Sequence, residues 1–400
     1  MNNKSKTSIK QIFQTNGAWW LFYSTHKEKI RETVVHNILR LLGCKTNILG
    51  YKKYACTNAK CSHTKIVVHT CKSRACSSCG KKLTETWIEK QNNILPKTEW
   101  QHITFTMPDT LWPIFRKNRK LLNAISKLGA DCIQTLAKAS NVIPGIFTAL
   151  HTFGRKLNFN VHLHLSTTTS GLSNDHSQWR DIYFRQHVLM KMWRYRIIQY
   201  LRKEYQTGNI ELTENIMKQL NSTHTFEDLL DKMYRKNWIV HCSKKSSDHT
   251  INVNYLGRYI KRPPIAESKL KHYGKNNISI KYKDHRTGTY KTLKLNSYEF
   301  IKRFVQHIPE KGFRLIRYYG FLANRNRKEL LPKVYTLINQ DKPEKKDPIS
   351  YVQMMKQFLN IDPLQCILCN SPLALIQTKF GATTGNLINF HQQLALQKII

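Results

Sequence analysis

Residues 160–166 read NVHLHLS, so His162 and His164 flank one leucine in a run of β-forming residues. Alternation along a strand puts both imidazoles on one face and Val161, Leu163 and Leu165 on the other. Such a pair either ligates a metal or sits hydrogen-bonded in a core. A further histidine, His151 in ALHTF, precedes the pair across the short segment GRKLNFN. If the two runs fold back as a hairpin, His151 lies beside them and supplies a third ligand. Three neutral imidazoles leave coordination positions open for substrate oxygens, as a catalytic divalent metal requires. His102 in QHITFT is the reserve candidate for the third position.

Downstream, residues 255–259 read YLGRY. On a helix, Tyr255 and Tyr259 are about 400° apart, hence on one face within about 40°. Gly257 between them lowers helix propensity by roughly 1 kcal/mol relative to alanine, and it allows backbone or substrate to approach closely. Arg258, Lys261 and Arg262 follow in RYIKRPP. A phenol with a pKa near 10 is a poor nucleophile until a metal or cation stabilises the phenolate or activates the electrophile. Tyrosines beside a three-histidine metal site therefore suit attack on a phosphodiester, with a 3′-hydroxyl leaving and a 5′-phosphotyrosine remaining. The competing reading is that YxxxY only packs an amphipathic helix.

Ten cysteines are present, and most fall into two clusters. The first is Cys56-x4-Cys61, then Cys71, then Cys76-x2-Cys79, with His63 and His69 between. Two close pairs joined by a loop make a tetrahedral sulfur site, the usual structural Zn²⁺ arrangement. Cys56, Cys61, Cys76 and Cys79 are the first choice of ligands; Cys71 or either histidine could substitute or serve a second ion. Buried free thiols are the alternative. Cys366-x2-Cys369 is half a site with no visible other half.

The elements that would position these groups mix without regular βαβ alternation, which points to α+β. Residues 1–50 read as helical, with Ile30, Val34, Ile38 and Leu41 at helical period. QHITFTMP reads as a strand that Pro108 stops, and residues 146–153 and 157–168 read as a hairpin. A long basic, aromatic helix is expected over 179–205, carrying Trp179, Tyr183, Phe184, Trp193 and Tyr195. It either stacks single-stranded bases or is a core helix with a solvated basic face. ISIKYKDHRTGTYKTLKL reads as a hairpin. The expected divisions are a helical and cysteine-rich zinc-binding domain at 1–95, a central antiparallel-sheet domain carrying the histidines and tyrosines at 96–325, and a mainly helical C-terminal extension at 326–400.

The 400 residues carry 65 Lys+Arg against 25 Asp+Glu, a formal charge of +40. Such a field gathers polyanions, nucleic acid first. No apolar run reaches the ~20 residues of a spanning helix, and MNNKSKTSIKQIF lacks a signal peptide's apolar core. A cytoplasmic protein with nucleic acid as its partner is expected. With no secretory signal, clustered cysteines point to metal ligands over disulfides.

The joint pattern resembles the HUH endonuclease superfamily and, within it, the rolling-circle transposases of the IS91 group. The segments that carry the resemblance are TCKSRACSSCGKK, QHITFTMP, LHTFGRKLNFNVHLHL, YLGRYIKRPPI and FRLIRYYGFLANRNR, in that order over about residues 50–330. The resemblance implies a metal-dependent nickase and ligase of single-stranded DNA, using Mg²⁺ or Mn²⁺ at the histidines and Zn²⁺ in the cysteine module. It assigns His162 and His164 to the metal, favours His151 as third ligand, and makes Tyr255 and Tyr259 the nucleophiles. Two departures bear on the zinc module: Ser77 stands where the family often has proline, and Cys56-x4-Cys61 is longer than the common CxxC.

Three other readings compete. A plasmid or phage replication initiator would use the same chemistry. A non-catalytic zinc-dependent DNA-binding protein explains the charge and cysteines, but not histidines around a hairpin followed by YLGRY. A transposase built on three carboxylates is disfavoured, because Asp175, Asp181 and Asp284 lack suitable spacing.

Overall fold

A computed structural model describes residues 8–212, 214, 225–248, 250–251, 253–254, 257, 263–273, 277–284, 287–343, 352–353, 355–356 and 360–397. It is a mixed α+β protein that divides into two units. One unit is Met1–Lys82, Ala266–Lys302 and Pro343–Ile400; the other is Leu83–Ile265 and Arg303–Lys342. The expected boundaries after residues 95 and 325 therefore both fall inside the second unit. Among the described residues no helix is long and apolar enough to cross a membrane.

In the first unit, α1 (Ile9–Gln14), α2 (Ala18–His26) and α3 (Glu32–Leu42) lead into a small antiparallel sheet. Helix α3 is strongly amphipathic: Val34, Val35, Ile38, Leu39, Leu41 and Leu42 are buried, Glu32 sits in the first turn, and Gly43 caps the end. The sheet joins β1 (Gly50–Cys56), β2 (Thr64–Val68) and β12 (Leu373–Phe380) in the order β12–β1–β2. Gly50 enters β1 at φ +87°, and a Cβ there would stand 2.2 Å from the carbonyl oxygen of Lys379. Only glycine fits both constraints. Helix α11 (Thr384–Gln397) buries Leu387 in a cluster with Val35 and Leu39 of α3. The hairpin expected around DHRTG is present as β9 (Asn277–Lys283) and β10 (Tyr290–Asn296), with β8 (Leu270–Tyr273) added on the far edge of β9. Helix α9 (Ser297–Val305) follows.

The second unit is built on an antiparallel sheet ordered β11–β4–β5–β3–β7, with β6 also paired to β5. Its strands are β3 (Trp100–Thr106), β4 (Val142–Phe153), β5 (Phe159–Ser173), β6 (Trp179–Asp181), β7 (Val240–Cys242) and β11 (Ile316–Gly320). One face carries Ile103, Phe105, Ile146, Leu150, Val161, Leu163 and Leu165. They are buried with residues of α5 (Trp112–Lys117), α6 (Leu122–Ala139), α7 (Gln186–Gln206) and α8 (Phe226–Arg235). A capping box starts α8: the Asp228 amide donates to Thr225 Oγ1, and the Thr225 amide donates to the Asp228 carboxylate. The opposite face of the sheet packs Trp100, Phe147 and Ala149 with Trp87 of α4 (Ser77–Asn92) and Leu330, Leu331 and Val334 of α10 (Arg327–Leu337).

The expected helix over 179–205 is corrected. Trp179–Asp181 pair with Ser170–Leu172 as β6, and the helix starts only at Gln186. Trp193 and Phe184 belong to the core, with the Trp193 indole N–H donating to the carbonyl of Thr106 at 2.7 Å. Tyr183 and Tyr195, 73% and 53% exposed, face solvent. For Trp193 and Phe184, burial wins over base stacking.

Trp193→Ala is therefore expected to destabilise this unit by about 3–5 kcal/mol, read as a lower thermal midpoint. Tyr195→Ala should stay within about 0.5 kcal/mol of the parent.

Candidate active site

The register of β3, β4 and β5 decides where the histidines stand. His151 lies directly opposite His162, and Thr106 opposes His162 from the other side. In the next row, His164 stands between Ala149 and Thr104; one row on, Ser166 is flanked by His102 and Phe147. Directly opposed residues share a face, so all four histidines rise from the side away from Val161, Leu163 and Leu165. The small side chains of Ala149 and Thr104 leave room for the His164 imidazole between them.

His151, His162 and His164 each offer a ring nitrogen within 4.8 Å of the other two. Their ring centroids are 4.5 Å (His151–His164), 5.0 Å (His162–His164) and 5.2 Å (His151–His162) apart. His151 and His164 are buried, while His162 retains partial exposure. Burial lowers the pKa of His162 and pushes that of His164 well below its ordinary value. Neutral imidazoles with a lone pair to give are the consequence.

The partners of these rings set which nitrogen carries the proton. The carbonyl of Asn160 can only accept, so His162 Nδ1, 3.0 Å away, donates to it and Nε2 keeps its lone pair. His164 Nδ1 lies 3.0 Å from His102 Nε2, and His102 Nδ1 lies 3.4 Å from Ser166 Oγ. With His102 Nδ1–H donating to Ser166 and His164 Nδ1–H donating to His102, the lone pair of His164 likewise lies on Nε2. Burial holds His102 down to about 4, so it stays neutral and able to accept. His102, the reserve ligand in the sequence reading, thus stands behind His164 and orients it, as hydrogen-bonded partners of metal-binding histidines do. His307 offers a contrast. Its Nε2 donates to the carbonyl of Leu157 at 3.2 Å and its Nδ1 accepts from Thr152 Oγ1 at 3.3 Å, so it ties the β4–β5 connection to the sheet.

Tyr255, Tyr259, Arg258, Lys261 and Arg262 lie outside the described residues. Their described neighbours are informative. Val253 is fully buried in the cluster that holds Ala149 and Phe147, on the histidine side of the sheet. Gly257 is buried, and a Cβ on it would meet Ile88 Cγ1 at 2.4 Å and Trp87 Cε3 at 3.5 Å. Its lack of a side chain serves close packing against α4.

The cysteines form two groups. Cys44, Cys71, Cys76 and Cys79 converge, with sulfur–sulfur distances of 3.5–3.7 Å, inside the apolar cluster of α3 and α11. Hydrogen bonds from Cys44, Cys71 and Cys76 hold the Cys79 thiol below its usual range, while the bond to Cys44 pushes Cys71 up. Cys56 and Cys61 do not join Cys76 and Cys79; they meet Cys366 and Cys369. The sequence reading missed Cys44 because it stands alone at the end of α3, with no neighbouring ligand to mark it. Asp175, Asp181 and Asp284 are engaged locally, with Ser173 and Ser177, with Ser170, and with Lys291 respectively.

Both kinds of donor set fit metal ions. Zn–S bonds of about 2.3 Å in a tetrahedron imply sulfur–sulfur edges of about 3.8 Å, close to the observed spacing. Three convergent imidazoles, with His162 Nδ1 bonded to a carbonyl and His164 Nδ1 against His102, suit a divalent cation with open positions.

A family model described as a putative transposase matches residues 145–329, which span His151, His162, His164, Tyr255 and Tyr259. A second, described as a transposase zinc-binding domain, matches residues 13–107. The chain is similar to the transposase for insertion sequence element IS801 from Pseudomonas savastanoi pv. phaseolicola. The two are 39% identical over 390 residues, covering 97% of this chain and 94% of that protein. It is also similar to putative transposase y4qJ from Sinorhizobium fredii, 27% identical over 354 residues, covering 86% and 88%. No solved structure matches the chain.

His164→Ala is expected to abolish tight Mn²⁺ binding, measured by paramagnetic resonance titration. His102→Ala should weaken it roughly 10–100-fold while leaving the fold intact. Equal and total loss in both variants would make His102 a ligand instead. Gly257→Ala should lower thermal stability by about 1–3 kcal/mol through the clash with Ile88.

Proposed function

The chain belongs to the transposases of the IS91 group, and on that premise we propose that it cuts and rejoins single-stranded DNA through tyrosine esters at the ends of a mobile element. The observation that carries this reading is the convergence of His151, His162 and His164 on one sheet face, in a chain whose transposase relative aligns over 97% of its length. The tethering of Val253 and Gly257 on that side of the sheet supports it, since YLGRY runs through Gly257.

His151, His162 and His164 would hold Mg²⁺ or Mn²⁺ through ring nitrogens, and a cation held there would supply polarisation of the scissile phosphate. The phenolate oxygen of Tyr255 or Tyr259 forms a bond to phosphorus as the bond to the 3′-oxygen breaks. The departing 3′-oxygen takes up a proton, and the 5′-phosphate stays on the tyrosine. A free 3′-hydroxyl from another strand end then attacks the same phosphorus, loses its proton and releases the phenol. The ester conserves the bond, so joining needs no ATP. Two tyrosines let one strand end be held while a second is cut. Arg258, Lys261 and Arg262 neutralise backbone phosphates beside the phenols, and the +40 charge favours the strand generally. Cys44, Cys71, Cys76 and Cys79 hold Zn²⁺ as a structural ion. We assign the reaction to the bacterial cytoplasm, at the nucleoid.

The test is covalent capture. Incubated with end-labelled single-stranded DNA from the element's own termini and Mg²⁺ or Mn²⁺, the protein should form an adduct stable to denaturation. Tyr255→Phe and Tyr259→Phe should each retain part of it, and the double variant none. His162→Ala should bind DNA without forming adduct. A wild-type protein that binds this DNA yet forms no adduct sinks the nickase reading; adduct surviving in the double variant moves the nucleophile elsewhere.

A further inference from the structure

Cys56, Cys61, Cys366 and Cys369 take no part in the chemistry above, and two of them lie far beyond residue 107, where the matched zinc-binding domain ends. The chain nevertheless shapes both halves as ligand loops. In the first, the Cys61 amide donates to the carbonyl of Asn58 at 2.9 Å and the Lys60 amide to Asn58 Oδ1 at 3.0 Å, folding Cys61 back beside Cys56. In the second, the amide of Cys366 donates to the carbonyl of Ser371 at 2.8 Å. The amide of Asn370 donates to the carbonyl of Cys366 at 3.0 Å, with Asn370 in the left-handed region at φ 59°. The Leu368 amide points at Cys366 Sγ, 3.4 Å away. An amide aimed at a sulfur stabilises thiolate charge.

The two loops meet where β1 pairs with β12. Cys56 opposes Leu373, and the Thr57 amide and hydroxyl both donate to the carbonyl of Pro372 at 3.0 Å. Lys65 Nζ reaches the carbonyl of Pro363 at 2.8 Å. Cys56 Sγ and Cys369 Sγ are 3.3 Å apart, Cys61 Sγ and Cys366 Sγ 3.8 Å, and all four sulfurs lie within 4.8 Å of one another. Those are edges of a thiolate tetrahedron about zinc, not the roughly 2.05 Å of a disulfide; all four cysteines are free. Hydrophobic burial does not explain the turn, because its two intervening residues, Ile367 and Leu368, are 78% and 71% exposed. β12 likewise buries only Leu373.

We propose that these four cysteines form a second structural zinc site, whose ion fastens the C-terminal segment to the β1–β2 hairpin across 313 residues of chain. β12 keeps its place in the sheet because the metal holds its leading end. The zinc module is therefore closed only after residue 369 has been made. The inference stands independently of the nicking reading.

The full chain, purified under reducing conditions, should carry two zinc ions by elemental analysis. Replacement with Co²⁺ should give thiolate charge-transfer absorption of two four-sulfur sites, a signal to which the histidine site does not contribute. Cys366→Ser with Cys369→Ser should halve that absorption, leave one zinc, and remove hydrogen-exchange protection from β12 while protection in β5 persists. Should that variant misfold, alkylation of the wild type decides: Cys56, Cys61, Cys366 and Cys369 should resist modification together until a chelator is added. One zinc in the wild type, undiminished absorption in the variant, free alkylation of the four cysteines before chelation, or a Cys56–Cys369 disulfide found by mass spectrometry would each overturn the proposal.

Discussion

The antiparallel register of β3, β4 and β5 is the constraint on which the rest of the active unit depends. It sets His151 opposite His162 and puts His102 one row beyond His164. A slip of one residue in either ladder would turn the imidazoles of one strand into the apolar core. That register is enforced from the other face. Val161, Leu163 and Leu165 are wholly buried between sheet and helices, so the slipped pairing would expose them and bury histidines without partners. The same alternation that holds the sheet on its helices aims the histidines away from them.

Around that register the polar groups are arranged to keep the histidines neutral and correctly protonated. Asn160 accepts the Nδ1 proton of His162, His102 stands against Nδ1 of His164, and burial opposes charging. A buried imidazole that merely packed would have both nitrogens occupied by fixed partners, as His307 does with Thr152 and Leu157. The difference between these two kinds of histidine lies in their hydrogen bonds, and it separates an imidazole able to ligate from a structural strut.

The other unit solves a different problem. Its β12–β1–β2 sheet has little to bury, since almost every residue of β12 is exposed. A sheet so thin draws stability from cross-links more than from apolar area. The two cysteine groups stand where such links are needed: one inside the small cluster of α3 and α11, the other at the end of the β1–β12 ladder.

Short-range pattern was legible in the sequence. The alternation of NVHLHLS, the hairpin to ALHTF, the amphipathic period of α3 and the alternation about DHRTG all appear as read, because each depends on residues a few positions apart. The aromatic run at 179–185 was misread as helix. Its period is weak, and the open edge of β5 beside Ser170–Leu172 pairs with it more favourably than a helix would. The cysteine groupings were beyond sequence reading. Cys44 stands 27 residues before Cys71, and Cys56 pairs with a residue 313 positions away. Spacing marks a metal site only when its ligands share one loop; here chain topology chooses the partners. The sequence by itself determined the α+β class, the shared face of His162 and His164, and the cysteine-rich character of the N-terminal module. Only the tertiary structure decided that His102 stands behind His164, and that the cysteines divide into two fours. Those choices rest on which distant strands share hydrogen bonds, and no local period encodes that.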